Sequence, residues 1–143
     1  MIRRVMKNII PVIIIVIFPF TIIYSQSDEN TLSKNIIGKW KMIKVMEMSK
    51  DVTGQHNSEN NRWIRFVPDS LAELKGTFES GRGDEKDNTG KWVLNGNELF
   101  IDSNAGEDDD SYWETTFEGN KMFWKGKRFE FNRRFEIVHE RVE

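Results

Sequence analysis

The chain of 143 residues contains no cysteine, only three prolines and only two histidines. Each scarcity excludes something. Without cysteine there is no disulfide, no thiolate nucleophile and no thiolate metal site. A lipid-anchored export signal, which needs a cysteine at its cleavage point, is excluded too. His56 stands in a polar stretch and His139 late in an alternating one. Neither has a serine or carboxylate at a spacing that would build a proton relay, and Glu140 beside His139 points to the opposite face of a strand. Most Asp and Glu side chains fall at outward positions of the alternation, so no acid–base pair is legible. No catalytic activity and no cofactor are expected.

Two further shortages concern partners and location. The uncharged apolar run from Ile9 to Tyr24 is broken by Pro11 and Pro19 and is shorter than the roughly 20 residues a spanning helix requires. Arg3, Arg4 and Lys7 precede it, and Ser25-Gln26 offers a small residue for cleavage. This is the pattern of an export signal over residues 1–25, with an uncleaved anchor as its rival. A polar tether, 26–35, then leads into a single domain, 36–143. The expected location is periplasmic or extracellular, with no stable membrane insertion after cleavage. All 23 acidic residues lie beyond Ser25 with 18 of the 21 basic ones, a net charge of −5. A nucleic-acid surface, which needs clustered positive charge, is therefore not expected.

What the chain does have is aromatic rings and turn signals. Each buried ring removes roughly 150–250 Å² from water, enough in number to stabilise a domain of this size without disulfides. Pro68-Asp69-Ser70, Asn95-Gly96-Asn97, Gly119-Asn120 and Lys125-Gly126-Lys127 separate stretches that alternate apolar and polar residues. Asn-Gly and Gly-Asn pairs supply the positive φ that tight hairpins need. The alternation predicts eight strands, over 39–48, 61–67, 71–79, 90–95, 97–103, 111–118, 121–125 and 128–141. An up-and-down meander hides its edges by closing on itself, so the fold class is all-β, an eight-stranded antiparallel barrel. A helical turn over Leu32–Ile37 would plug one end, capped by Thr31 or Ser33 and broken by Gly38.

The parity of the strands sorts the rings. Ala72, Leu74 and Phe78 share one face, as do Trp92 and Leu94, Leu99 and Ile101, Trp113 and Phe117, Met122 and Trp124, and Phe129 and Phe131. These are assigned to the interior. In the first strand Trp40 and Met42 share a face with Lys44, which predicts a bulge that switches faces. Trp63 falls outside or near an end. Three longer loops are expected, 50–60, 80–89 and 103–110. The last ends in Glu107-Asp108-Asp109-Asp110, but its glycine is out of register for a calcium loop, so at most weak calcium binding is expected. Arg82-Gly83-Asp84 spells an adhesion tripeptide too short to carry weight.

Ile37-Gly38-Lys39-Trp40, Trp63 to Asp69, Gly90 to Leu99 and Glu140-Arg141-Val142, in that order and spacing, resemble the lipocalin pattern. More closely, the chain is similar to the small lipocalin-like domains exported by Bacteroidetes-type bacteria, over roughly residues 36–142. The resemblance implies a barrel with an internal cavity, with Trp40 at its closed end and an arginine of the last strand, Arg141 in preference to Arg133 or Arg134, stacked over it. Within such a barrel Phe66, Phe78, Trp92, Trp113, Phe117 and Trp124 are the candidate ligand-binding residues, with loops 50–60 and 80–89 as gates. Two readings stay open: a cavity holding a small apolar or amphipathic ligand, or rings that fill the interior of an envelope interaction module.

Overall fold

A computed structural model of the chain describes residues 35–70 and 74–143. The expected export signal, nearly all of the tether with both candidate caps, and Ala72 lie outside the described residues. Asn35 and Ile36 are helical and lead into β1 (Gly38–Glu47). Next along the chain come β2 (Lys50–Asp51), helix α1 (Thr53–His56), β3 (Arg62–Pro68), β4 (Lys75–Arg82), β5 (Glu85–Asn95) and β6 (Glu98–Ser103). After a 3₁₀ turn over Glu107–Asp109 come β7 (Ser111–Glu118), β8 (Lys121–Lys127), helix α2 (Glu130–Arg133) and β9 (Phe135–Arg141).

Every pairing is antiparallel and sequential from β3 to β9. The start of β1 pairs with β3 (Gly38 opposite Phe66), while Trp40 to Glu47 pair with β9 (Trp40 opposite Arg141). The sheet thus closes into the expected eight-stranded barrel, with β2 added against the end of β1. The register shift between Met42 and Lys44 is the bulge that the pattern required, and it lets Val45 return to the buried face. Gly96 and Gly119 take φ of +59° at the β5–β6 and β7–β8 turns, as their neighbours predicted.

Three expectations are corrected. Residues 80–89 are not a loop: β4 and β5 run on to a tight turn at Gly83-Asp84. The first residues of β5 are exposed, so no apolar alternation marked them as strand. Lys125-Gly126-Lys127 is not a turn but the end of β8. Gly126 is there because a Cβ would stand 1.6 Å from the Asn132 carbonyl oxygen of α2. The final strand does not begin at 128. Arg128 takes φ +59° and α2 intervenes, leaving Phe129 and Phe131 outside at 47 % and 67 % exposure rather than in the interior.

The strands alternate direction, so the loops divide between two ends. One end holds Ile36, the start of β1, the end of β9 and the turns at Gly96 and Gly119. The other holds α1, α2, the Gly83-Asp84 turn and the 103–110 connection. The segment after β1 folds back as a cover: Val52 is buried, and the buried Asn57 ties it down. Asn57 Nδ2 donates to the Met42 carbonyl at 2.7 Å, and its Oδ1 accepts from the backbone N–H groups of Asn61 and Arg62 at 3.0 Å each.

Candidate functional site

The closed end is a fully bonded plug. Trp40 is buried and its Nε1–H donates to the Ile36 carbonyl at 2.8 Å. The Arg141 guanidinium lies 4.3 Å from the centre of the Trp40 ring and donates to the carbonyls of Ile37 (2.7 Å) and Asn35. The pairing implied by the resemblance is present, and Arg133 and Arg134 take no part in it. Trp63, at an outward position of β3, lies on the outer wall. Lys39 Nζ stands 4.7 Å from its ring centre, and its Nε1–H donates to the Gly83 carbonyl.

Above the plug the rings touch in a chain. Phe66 meets Trp92 edge-on at 5.7 Å and Trp124 at 6.2 Å; Trp124 stacks on Trp113 at 5.2 Å and lies 4.5 Å from the His139 ring. Trp92 Nε1–H donates to the carbonyls of Thr77 and Val67. Phe78 is buried beside them, whereas Phe117 is half-buried and turns towards Trp40, 5.9 Å away. Of the six candidate ligand-binding residues, five are therefore buried in the barrel, mostly against one another. Trp124 also lines open space.

That space is a cavity of about 330 Å³ towards the open end of the barrel, lined by residues of six strands. Met42, Ile64 and Trp124 give it apolar walls; Arg62, Ser80, Asn88 and His139 give it polar ones. Parity explains the set, because Arg62 shares a face with Ile64 and Phe66, Ser80 with Phe78, and Asn88 with Gly90 and Trp92. Asn88 Nδ2 donates to the buried Ser103 Oγ at 2.8 Å, continuing the polar level across β6. Sequence reasoning passed over Ser80 and Asn88 because they fall in the stretch 80–89 that reads as a loop, and over Arg62 because aromatics on both faces of its strand leave the inward side unsorted. Extending the parity of the buried rings along each strand would have found them.

The electrostatics differ from side chain to side chain. His139 is wholly buried, and burial pushes its pKa down to about 3, so the ring is neutral. Among the described residues neither its Nδ1 nor Trp124 Nε1 has a hydrogen-bond partner. The Arg62 guanidinium is held below its usual range, first by burial and then by the nearby Arg82 charge, with Asp87 acting in the opposite sense. Asp87 is engaged with Arg82 Nε at 3.4 Å.

A larger hollow of about 570 Å³ lies on the outer wall of β7, β8, β9 and β1, among Lys44, Met46, Thr116, Phe123 and Val138. Those residues alternate with the buried ones, so it is a surface trough outside the lumen. The acidic connection is folded on itself: Asp110 Oδ1 accepts from the Ser103 N–H at 2.8 Å. Among the described residues no three His, Asp or Glu side chains are grouped to hold a metal ion, and no helix is long and apolar enough to cross a membrane.

The expected gates have more structure than loops. Segment 50–60 carries β2 and α1 and is pinned by Asn57, and 80–89 is a continuous hairpin. Barrels of this kind are typically binding rather than catalytic folds and suit small-molecule ligands. A search of curated proteins finds no match. The lipocalin-like domain model, in contrast, matches residues 36–124, from the helical turn before β1 to Trp124 in β8. That span is more than half of the chain and carries most of the closed barrel, so the protein belongs to the lipocalin-like domain family.

Proposed function

We propose that the protein is an exported binding protein that holds a small apolar or amphipathic molecule inside its barrel. The observation that carries this is the 330 Å³ cavity walled by six strands above a floor of packed rings. Ligand pockets run from about 300 to 1,000 Å³, so this one suits a small ligand. Trp124, Ile64 and Met42 would touch it directly. Phe66 and Trp113 would pack against Trp124, with Phe78, Trp92 and Phe117 completing the ring cluster. Export rests on the basic Arg3, Arg4 and Lys7 ahead of the apolar run to Tyr24.

Tryptophan fluorescence tests the reading, because Trp124 forms part of the cavity wall. Titration with a panel of fatty acids, alcohols and small aromatic compounds is expected to give a change that saturates near one equivalent. Trp124→Phe should remove most of that change. A flat response across the panel would overturn the cavity reading in favour of a filled barrel that works through its outer surface.

A further inference from the structure

Charge is unevenly placed in this molecule. The domain beyond Ser25 has a net charge of −5, yet the ionised groups lining the cavity are Arg62, Arg82 and Asp87, a local excess of one positive charge. Asp87 and Arg82 are paired with each other. That leaves Arg62 as the charge in excess, and among the described residues its guanidinium makes no hydrogen bond or ion pair.

An arginine brought partly out of water ordinarily finds a carboxylate or carbonyl partner, because desolvating a charge without one is costly. Arg141 at the other end of the same barrel does so. Arg62 is also held in place. Its backbone N–H is bonded to Asn57 Oδ1, and its strand is paired on both edges, to β1 and to β4. A second recess of about 130 Å³, outside the cavity and beside α1, shares Arg62 and Arg82 as walls. The two arginines therefore border both the cavity and this outer recess.

Resting on the small-molecule reading above, we propose that the cavity takes an amphipathic monocarboxylate. Its carboxylate would bond to the Arg62 guanidinium at the mouth, and its apolar tail would lie against Ile64, Met42 and Trp124. A guanidinium matches a carboxylate with two parallel N–H···O bonds, which a hydroxyl cannot reproduce. Size narrows the choice: at about 30 Å³ per water-sized group, 330 Å³ holds about eleven heavy atoms. A ten-carbon fatty acid is of that size, and a long-chain one exceeds it.

The test compares decanoate with decan-1-ol, which share a tail and differ in the head group, using tryptophan fluorescence and calorimetry. Decanoate is expected to bind at least tenfold more tightly than decan-1-ol. Arg62→Gln should weaken decanoate at least tenfold and leave decan-1-ol within about twofold, which also shows that the variant is folded. Arg62→Lys, with the charge but not the fork, should fall between. Equal binding of the two compounds, or loss of both on Arg62→Gln, would overturn the carboxylate site while leaving the cavity reading intact. Binding of neither to the wild-type protein would overturn both.

Discussion

The two ends of the barrel each carry a partly buried arginine whose pKa is held down by burial, and they treat it in opposite ways. Arg141 lies over Trp40 and bonds two carbonyls of the helical entry, so that indole, guanidinium and backbone form one closed unit. Arg62 lines open space, and among the described residues its side chain makes no hydrogen bond or ion pair. The same chemical group thus serves as a bolt at one end and as an unsatisfied cation at the other. Satisfied polar groups mark the part of the fold that holds the barrel shut. At the open end the unbonded Arg62 side chain faces the cavity, beside Trp124 and His139, whose Nε1 and Nδ1 respectively are also unpartnered among the described residues.

The largest effects should come from breaking the bolt. Trp40→Ala removes a fully buried indole and should cost about 3–5 kcal/mol in urea denaturation. Arg141→Gln removes the ring contact, worth about 0.5–2 kcal/mol, together with charged hydrogen bonds of about 1.5–3 kcal/mol. A net loss of about 2–4 kcal/mol is expected. A loss below about 1 kcal/mol for either variant would show that the closed end is not what holds the barrel shut.

How much of this contrast the sequence makes legible differs between the two ends. The bolt is legible through the family resemblance that Gly38-Lys39-Trp40 and the ending Glu140-Arg141-Val142 carry, which implies the pairing of Trp40 with Arg141. The meander is equally readable where one face is apolar, as in β5 from Gly90 and in β7. Legibility fails at the open end, for one physical reason. There both faces of the strands are polar, so the alternation that reports strand and direction vanishes. Ser80 and Glu85 to Asn88 read as loop and are strand, and Ser80 and Asn88, with Arg62, line the cavity. Phe129 and Phe131 fail conversely, being apolar but displaced outward where Arg128 and α2 interrupt the strand. Binding sites place polar groups inside, and that is what defeats a reading based on apolar periodicity.

A second expected effect concerns His139, in the wall between the two ends. Its pKa is about 3 in the folded chain against 6.5 when unfolded. Below pH 6.5 the unfolded state takes up a proton that the folded state refuses, so stability falls as pH falls, and it is fully present only above 6.5. Between pH 6.5 and pH 5 this loss should be about 2 kcal/mol. Carboxylates contribute their own pH dependence, so the measurement is the difference between wild type and His139→Gln. The variant should lack this part of the slope in urea denaturation across pH 5–7. Identical slopes would mean that His139 becomes protonated within the folded barrel.

The smallest expected effect is the one that separates the two arginines. Arg62→Gln removes a charge that the fold desolvates and that the neighbouring Arg82 repels, and it breaks no side-chain hydrogen bond. The glutamine keeps two methylenes of the stem, so most of the packing along the cavity wall survives. Its amide is neutral and far less costly to bury than an unpaired cation. Stability should therefore stay within about 0.5 kcal/mol of wild type or rise by up to about 1 kcal/mol. Urea denaturation of Arg62→Gln and Arg141→Gln side by side gives the contrast directly. If Arg62→Gln loses as much as Arg141→Gln, the open-end arginine is a structural bolt too, and the asymmetry between the ends disappears. If it is neutral or stabilising, the fold retains Arg62 at the expense of its own stability, as expected of a group held ready for a partner.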